Sequence, residues 1–171
     1  MVIEVKTLSR TQQEKVRRSF RPLQVRILFV GESPPASGRF FYQRDSGLYR
    51  ALFQAFQLSD ASISEDEFLE SFQARGCYLV DLCHDPVDKL TAVERREACL
   101  TGEAALAREI QTAKPERIVT MVRSIEKNVR RAALEAGWKG RFLHLPYPGR
   151  WSRLRTIFVE QLVQELQTPL R

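Results

Sequence analysis

A chain of 171 residues, 43% of them hydrophobic, is long enough for one core that holds without disulfides or a structural metal, so a single domain over 1–171 is expected. It carries 27 Lys and Arg against 21 Asp and Glu, and the formal charge of +6 favours an anionic partner such as nucleic acid. Three cysteines without a CxxC pair, and no run of about 18 apolar residues, argue against a disulfide framework, a signal peptide and a membrane span. A cytoplasmic protein is the expectation.

Helix and strand signals alternate from end to end. Thr11 to Glu14 reads as a capping box that opens a basic first helix, which ends near Arg21-Pro22. "VRILFV" follows as an apolar, β-branched strand. Asp45 and Ser46 can cap a helix whose Leu48, Leu52, Phe53 and Phe56 share a face, and Ser64 to Glu67 opens another that stops at Gly76. "CYLVDL" is the second strand. Thr91 to Glu94 caps a long helix that Gly102 interrupts, Pro115 marks the return, and "RIVTMV" is the third strand. A short amphipathic helix from Ser124 to Gly137, the strand "RFLHLP" and a closing helix from Trp151 to Leu166 complete the chain. This alternation predicts an α/β fold, a three-layer α/β/α sandwich around a central four-stranded parallel sheet.

Right-handed crossovers would bring the loops after all four strands to one edge of the sheet, where α/β proteins build ligand sites. Those loops hold most of the chemistry-capable residues. In "GESPPASGRFFYQRD", Glu32 at the strand end is suited to activate water or, alternatively, to cap backbone amides. Pro34 and Pro35 stiffen the loop into a wall. Arg39 beside Phe40, Phe41 and Tyr42 suits a planar base and its phosphate, although one or two of these rings can equally be core. In "LVDLCHDP", Asp81, His84 and Asp85 offer hydrogen bonds to a ligand. A metal is not expected, because neither His84 nor His144 has a second ligand at helical spacing, and Cys83 reads as a buried thiol. "LPYPGRWSR" sets Tyr147 between two prolines ahead of Arg150, Trp151 and Arg153. That is either a wedge with phosphate-gripping arginines or a tight turn with Trp151 packed under the last helix.

Taken together these loops resemble the uracil-DNA glycosylase superfamily, nearest its branch with an iron-sulfur cluster. "GESPP" looks like that branch's Gly-Glu-Ala-Pro-Gly motif, "GRFF" its later Gly-Arg-Pro-Phe, "LVDLCHDP" its Asn-Val-Val-Lys-Cys-Arg-Pro-Pro, and "LPYPGR" its closing His-Pro-Ser loop. The resemblance implies a DNA glycosylase that flips out uracil or another deaminated base and hydrolyses its glycosidic bond. It makes Glu32 and His144 the candidate catalytic residues and Ser33, Phe41, Asp81 and Tyr147 the base pocket. Arg39, Arg150, Trp151 and Arg153 become the DNA contacts. Leu79 stands where the family keeps a base-reading asparagine, and Asp81 shares its strand face. Leu145 stands where the family has a histidine, one position after His144. Cys83 and Cys99 match two cluster ligands, but no cysteine precedes Cys77, so no cluster and no other cofactor or metal is expected. The expected partner is single- or double-stranded DNA, met by a monomer away from membranes. The alternative is an inactive nucleic-acid or nucleotide binding module of the same fold.

Overall fold

The computed structural model describes residues 7–149 and 151–169. Four strands, β1 (Ile27–Gly31), β2 (Cys77–Asp81), β3 (Arg117–Thr120) and β4 (Arg141–His144), form one parallel sheet in the order β2-β1-β3-β4. Six helices flank it: α1 (Arg10–Ser19), α2 (Gly47–Ser59), α3 (Phe68–Ala74), α4 (Ala92–Ala113), α5 (Glu126–Glu135) and α6 (Ser152–Gln167). The architecture is the three-layer α/β/α sandwich expected from the alternation. α4 packs on α5, and α2 packs on α6. Parallel strands covered on both faces need continuous apolar runs, and all five positions of β1 are buried.

Local chemistry explains the boundaries. α1 opens two residues earlier than expected: Ser9 and Gln12 form the capping box, while Glu14 pairs with Arg17 and Arg18 along the helix. Ser46 alone caps α2, accepting from the Tyr49 amide, and Asp45 instead accepts from the Phe40 amide at 2.7 Å. Ser64 donates to Glu67 without capping, and α3 begins at Phe68. Thr91 and Glu94 form the capping box of α4 as expected. Gly102, however, does not interrupt that helix. A Cβ there would lie 2.1 Å from the carbonyl oxygen of Leu82, so the glycine lets α4 press against the chain leaving β2.

One face of the sheet is filled by rings. Phe29 of β1, Phe56 of α2, and Phe68 and Phe72 of α3 pack with Phe41, Tyr42 and Tyr49, their centroids 4.9 to 6.4 Å apart within the cluster. Tyr42 also closes the edge of the sheet. Its hydroxyl accepts from the Leu79 amide at 2.8 Å and donates to the Leu79 carbonyl at 3.0 Å, satisfying backbone groups that edge strand β2 would leave open. At the amino-terminal edge of the sheet, buried Arg117 meets Glu165 of α6 at 3.1 Å and fixes that helix at the end remote from the strand-end loops.

Candidate active site

The backbone pairs Gly31 with Asp81 at the ends of β1 and β2, so these two residues share one face with Phe29 and Leu79. Beyond them the first loop folds back, with Pro34 and Pro35 walling a cavity of about 450 Å³. That size falls within the roughly 300–1,000 Å³ of small-molecule sites. Glu32, Phe41, Leu79, Asp81, Met121 and Tyr147 face into it. It sits at the carboxyl edge of the sheet, as parallel topology requires.

Glu32 is held by Arg95 of α4 in a two-pronged ion pair, with Nε donating to Oε1 at 2.7 Å and Nη2 donating to Oε2. The acid is 12% exposed and the arginine 43%. Glu32 therefore does not cap backbone amides; it is an oriented carboxylate at the cavity wall with lone pairs left for one further donor. Its backbone is equally fixed, since its carbonyl accepts from the Cys83 amide at 2.8 Å. Ser33 accepts from the Val87 amide at 3.3 Å, which ties the first loop to the second.

Asp81 is half-buried, and among the described residues no donor reaches its carboxyl. Burial pushes that carboxyl up to about 7, Arg17 opposes the rise and the negative Glu32 adds to it. Gly31 makes room for it, because a Cβ at Gly31 would stand 2.5 Å from Asp81 Oδ1. Phe41 is both core and wall: 4% exposed and ringed by Tyr42, Tyr49 and Phe72, it still lines the cavity. Tyr147, 47% exposed, closes the far side. Arg39 also lines the cavity and has no acidic partner among the described residues.

His144 is not brought to this cavity. Period-two alternation places it with Thr120 on the opposite face of the sheet, and its Nδ1 lies 2.9 Å from Thr120 Oγ1. The next residue, Leu145, is fully buried. The trio in the second loop comes together only in part. Asp85 pairs with Arg10 of α1 at 2.7 Å, whereas His84 and Asp81 both line a second groove of about 660 Å³ beside α1, which adjoins the cavity through Pro34, Phe40 and Asp81. Trp151 and Arg153 stand exposed where α6 begins; at 71% exposure the indole does not pack under the helix. Arg150 lies outside the described residues.

Arg95 was not singled out by the sequence, although one signal was there. An arginine in the first turns of a helix opposes the dipole, which favours acids at that end, so it calls for an acidic partner from elsewhere.

The residues do not fit a four-cysteine cluster. The sulfurs of Cys83 and Cys99 lie 3.7 Å apart and buried, and the chain has only three cysteines. No group of three potential metal-ligating residues occurs among the described residues. No helix described is long and apolar enough to cross a membrane.

Compared with known families, the chain matches the one described as Uracil DNA glycosylase superfamily over residues 18–167. No curated protein matches it.

Proposed function

Because the chain belongs to the uracil-DNA glycosylase superfamily, we propose that it removes uracil, or another deaminated base, from DNA by hydrolysing the N-glycosidic bond. The observation that carries this reading is the convergence of Glu32, Asp81, Phe41 and Tyr147 on one base-sized cavity at the strand ends. A nucleotide rotated out of the helix would lay its base against Phe41 and Tyr147, with its polar edge toward Asp81. Ser33 braces the loop that forms one wall.

In the hydrolysis the C1′–N bond breaks with charge building on sugar and base. Glu32, oriented by Arg95, accepts a hydrogen bond from the attacking water as its oxygen adds to C1′ and one proton leaves. The electron pair of the broken C1′–N bond stays on the base nitrogen, the proton lost by the water passes by way of Glu32 to solvent, and solvent water protonates the departing base. His144 is left out of this scheme because of its place on the far face. Arg39, Arg153 and Arg150 supply phosphate contacts and Trp151 a surface ring for unstacking the strand.

A second reading, a binding module of the same fold, draws on two observations. The Glu32 carboxylate is already engaged by Arg95, and buried Leu145 offers no donor to a departing base. Incubation with single- and double-stranded oligonucleotides carrying uracil, hypoxanthine or xanthine separates the two. Alkali-labile abasic sites that disappear in Glu32→Ala support the enzyme, whereas salt-sensitive binding without abasic product supports the module.

A further inference from the structure

Among the acids that line the cavity, Asp81 alone has a carboxyl that no hydrogen-bond donor reaches within the described residues. Asp81 also lines the groove beside α1, where Arg17 and Arg18 are taken by Glu14, Arg10 by Asp85, and Lys15 makes no ion pair with Asp81; on α4, Glu109 is paired with Arg21 and Arg95 is taken by Glu32. From the end of β1, Glu32 presents a second carboxylate. The first loop contributes Arg39 at the cavity wall and Tyr42, whose hydroxyl is committed to the backbone of Leu79. The second loop contributes Cys83, His84 and Asp88, the last occupied by the Ala36 amide at 3.0 Å. The loop after β4 contributes Tyr147. An ionised Asp81 would thus sit half-buried, without a hydrogen-bond donor among the described residues, beside another negative group.

A carboxyl so placed is cheapest to keep neutral, and a neutral carboxylic acid carries one donor and one acceptor on adjacent oxygens. An amide side chain presents the same pair. We propose that Asp81 reads the extruded base as a neutral acid, its hydroxyl donating to a base carbonyl and its carbonyl oxygen accepting from the neighbouring ring N–H. The substrate class is then a base with a lactam edge, as uracil has at N3 and O4 and hypoxanthine at N1 and O6. The leucine at position 79 needs no polar replacement, since Asp81 lies one pleat further along the same face. Gly31 is part of the arrangement: any side chain there would displace the Asp81 carboxyl. Burial holding this acid up at about 7 places its ionisation where a change of buffer tests it.

This inference rests on the base-pocket reading above, and binding separates it from the chemistry. Fluorescence anisotropy would compare three single strands, identical except for uracil, N3-methyluracil or a tetrahydrofuran abasic analogue at one position. Wild type and Asp81→Asn would be measured across the neutral range, with alkali cleavage read in parallel. The wild type is expected to prefer uracil over the abasic strand below neutrality and to lose that preference by up to about tenfold per pH unit above it. It should show no preference for N3-methyluracil, whose ring nitrogen has no proton to give. Asp81→Asn should keep the uracil preference with no pH dependence. Low-pH uracil selectivity without any abasic product would sink the glycosylase and leave this inference standing. Excision with the same pH profile in wild type and Asp81→Asn would do the reverse. Uracil preference that strengthens with rising pH, equal binding of the N3-methyl base, or no preference over the abasic strand would each overturn the proposal. The methylated base tests wild type alone, so a variant that fails to fold does not protect the idea.

Discussion

Arg95, in the second turn of α4, grips both carboxylate oxygens of Glu32 across the gap between that helix and the end of β1. The pair orients the acid and locks the first loop to the longest helix. Arg95→Ala leaves a mostly buried carboxylate without its partner. Because the arginine is partly exposed, the expected loss is about 1–2 kcal/mol rather than the larger penalty of a fully buried pair. Arg95→Lys keeps the charge but not the fork. Excision, or uracil binding, should fall in the order wild type, lysine, alanine, and thermal unfolding of each variant checks the stability. Equal behaviour of all three would show that the pair does not organise the site.

Two glycines are expected to fail in different ways. A methyl group at Gly102 meets a backbone carbonyl at 2.1 Å, and α4 must move as a body to admit it. Gly102→Ala should cost about 1–3 kcal/mol, several degrees in Tm. At Gly31 the atom within 3 Å is an Asp81 carboxylate oxygen, which can swing away. Gly31→Ala should therefore unfold near the wild-type temperature while losing most uracil selectivity. Paired melting and binding measurements test the contrast.

Asp81 also leaves a mark on stability. Its acid is expected to titrate at 3.8 in the unfolded chain and at about 7 in the folded one. Between those values the folded state binds more protons, so this group's contribution is greatest below pH 4 and is lost as the pH rises through 7. The loss amounts to at most about 4 kcal/mol, and less because the carboxyl opens into the cavity. Asp81→Asn removes the slope. The Tm difference between variant and wild type should shift in the variant's favour from pH 4 to 7 and stay level above, and a difference that is flat throughout would contradict the raised acid.

The surface around the cavity mouth should divide into charge and stacking. Arg39→Ala and Arg153→Ala are each expected to lower the slope of log affinity against log salt by about 0.7 to 0.9, as the loss of one phosphate contact does. Trp151→Ala should weaken binding by about 1–3 kcal/mol, the worth of one stacked base, and leave that slope unchanged. Titrations at several salt concentrations give both numbers. Unchanged slopes in the arginine variants would place the DNA on another face.

All three cysteines are buried, and burial pushes the thiols of Cys77 and Cys83 up to about 12. Alkylation at mildly alkaline pH should be negligible in the folded protein and complete after denaturation, as mass spectrometry would show. Rapid modification of Cys83 in the native state would mean that the second loop opens.

The order and type of the elements were legible because they rest on local signals. An apolar β-branched run marked the first strand, shorter apolar runs between helix signals marked the other three, and Ser46 and the Thr91–Glu94 box marked two helix starts within a residue or two. Alternation then left few topologies, and parallel pairing carried Glu32, Asp81 and Tyr147 to one sheet edge. Local rules misled where a residue answered to a distant neighbour. Gly102 looked like a helix break, but its missing Cβ serves contact with Leu82 from another element. Glu32 had two open roles until Arg95, 63 residues on, settled its orientation. His144 is near the site in sequence and turned away from it in space, because a one-residue step along a strand reverses the side chain. Fold class and the meeting of the loops follow from local signals along the chain. Which carboxylate is paired and which stays free depends instead on the cations that the packing of α1 and α4 brings within reach, and no local signal carries that.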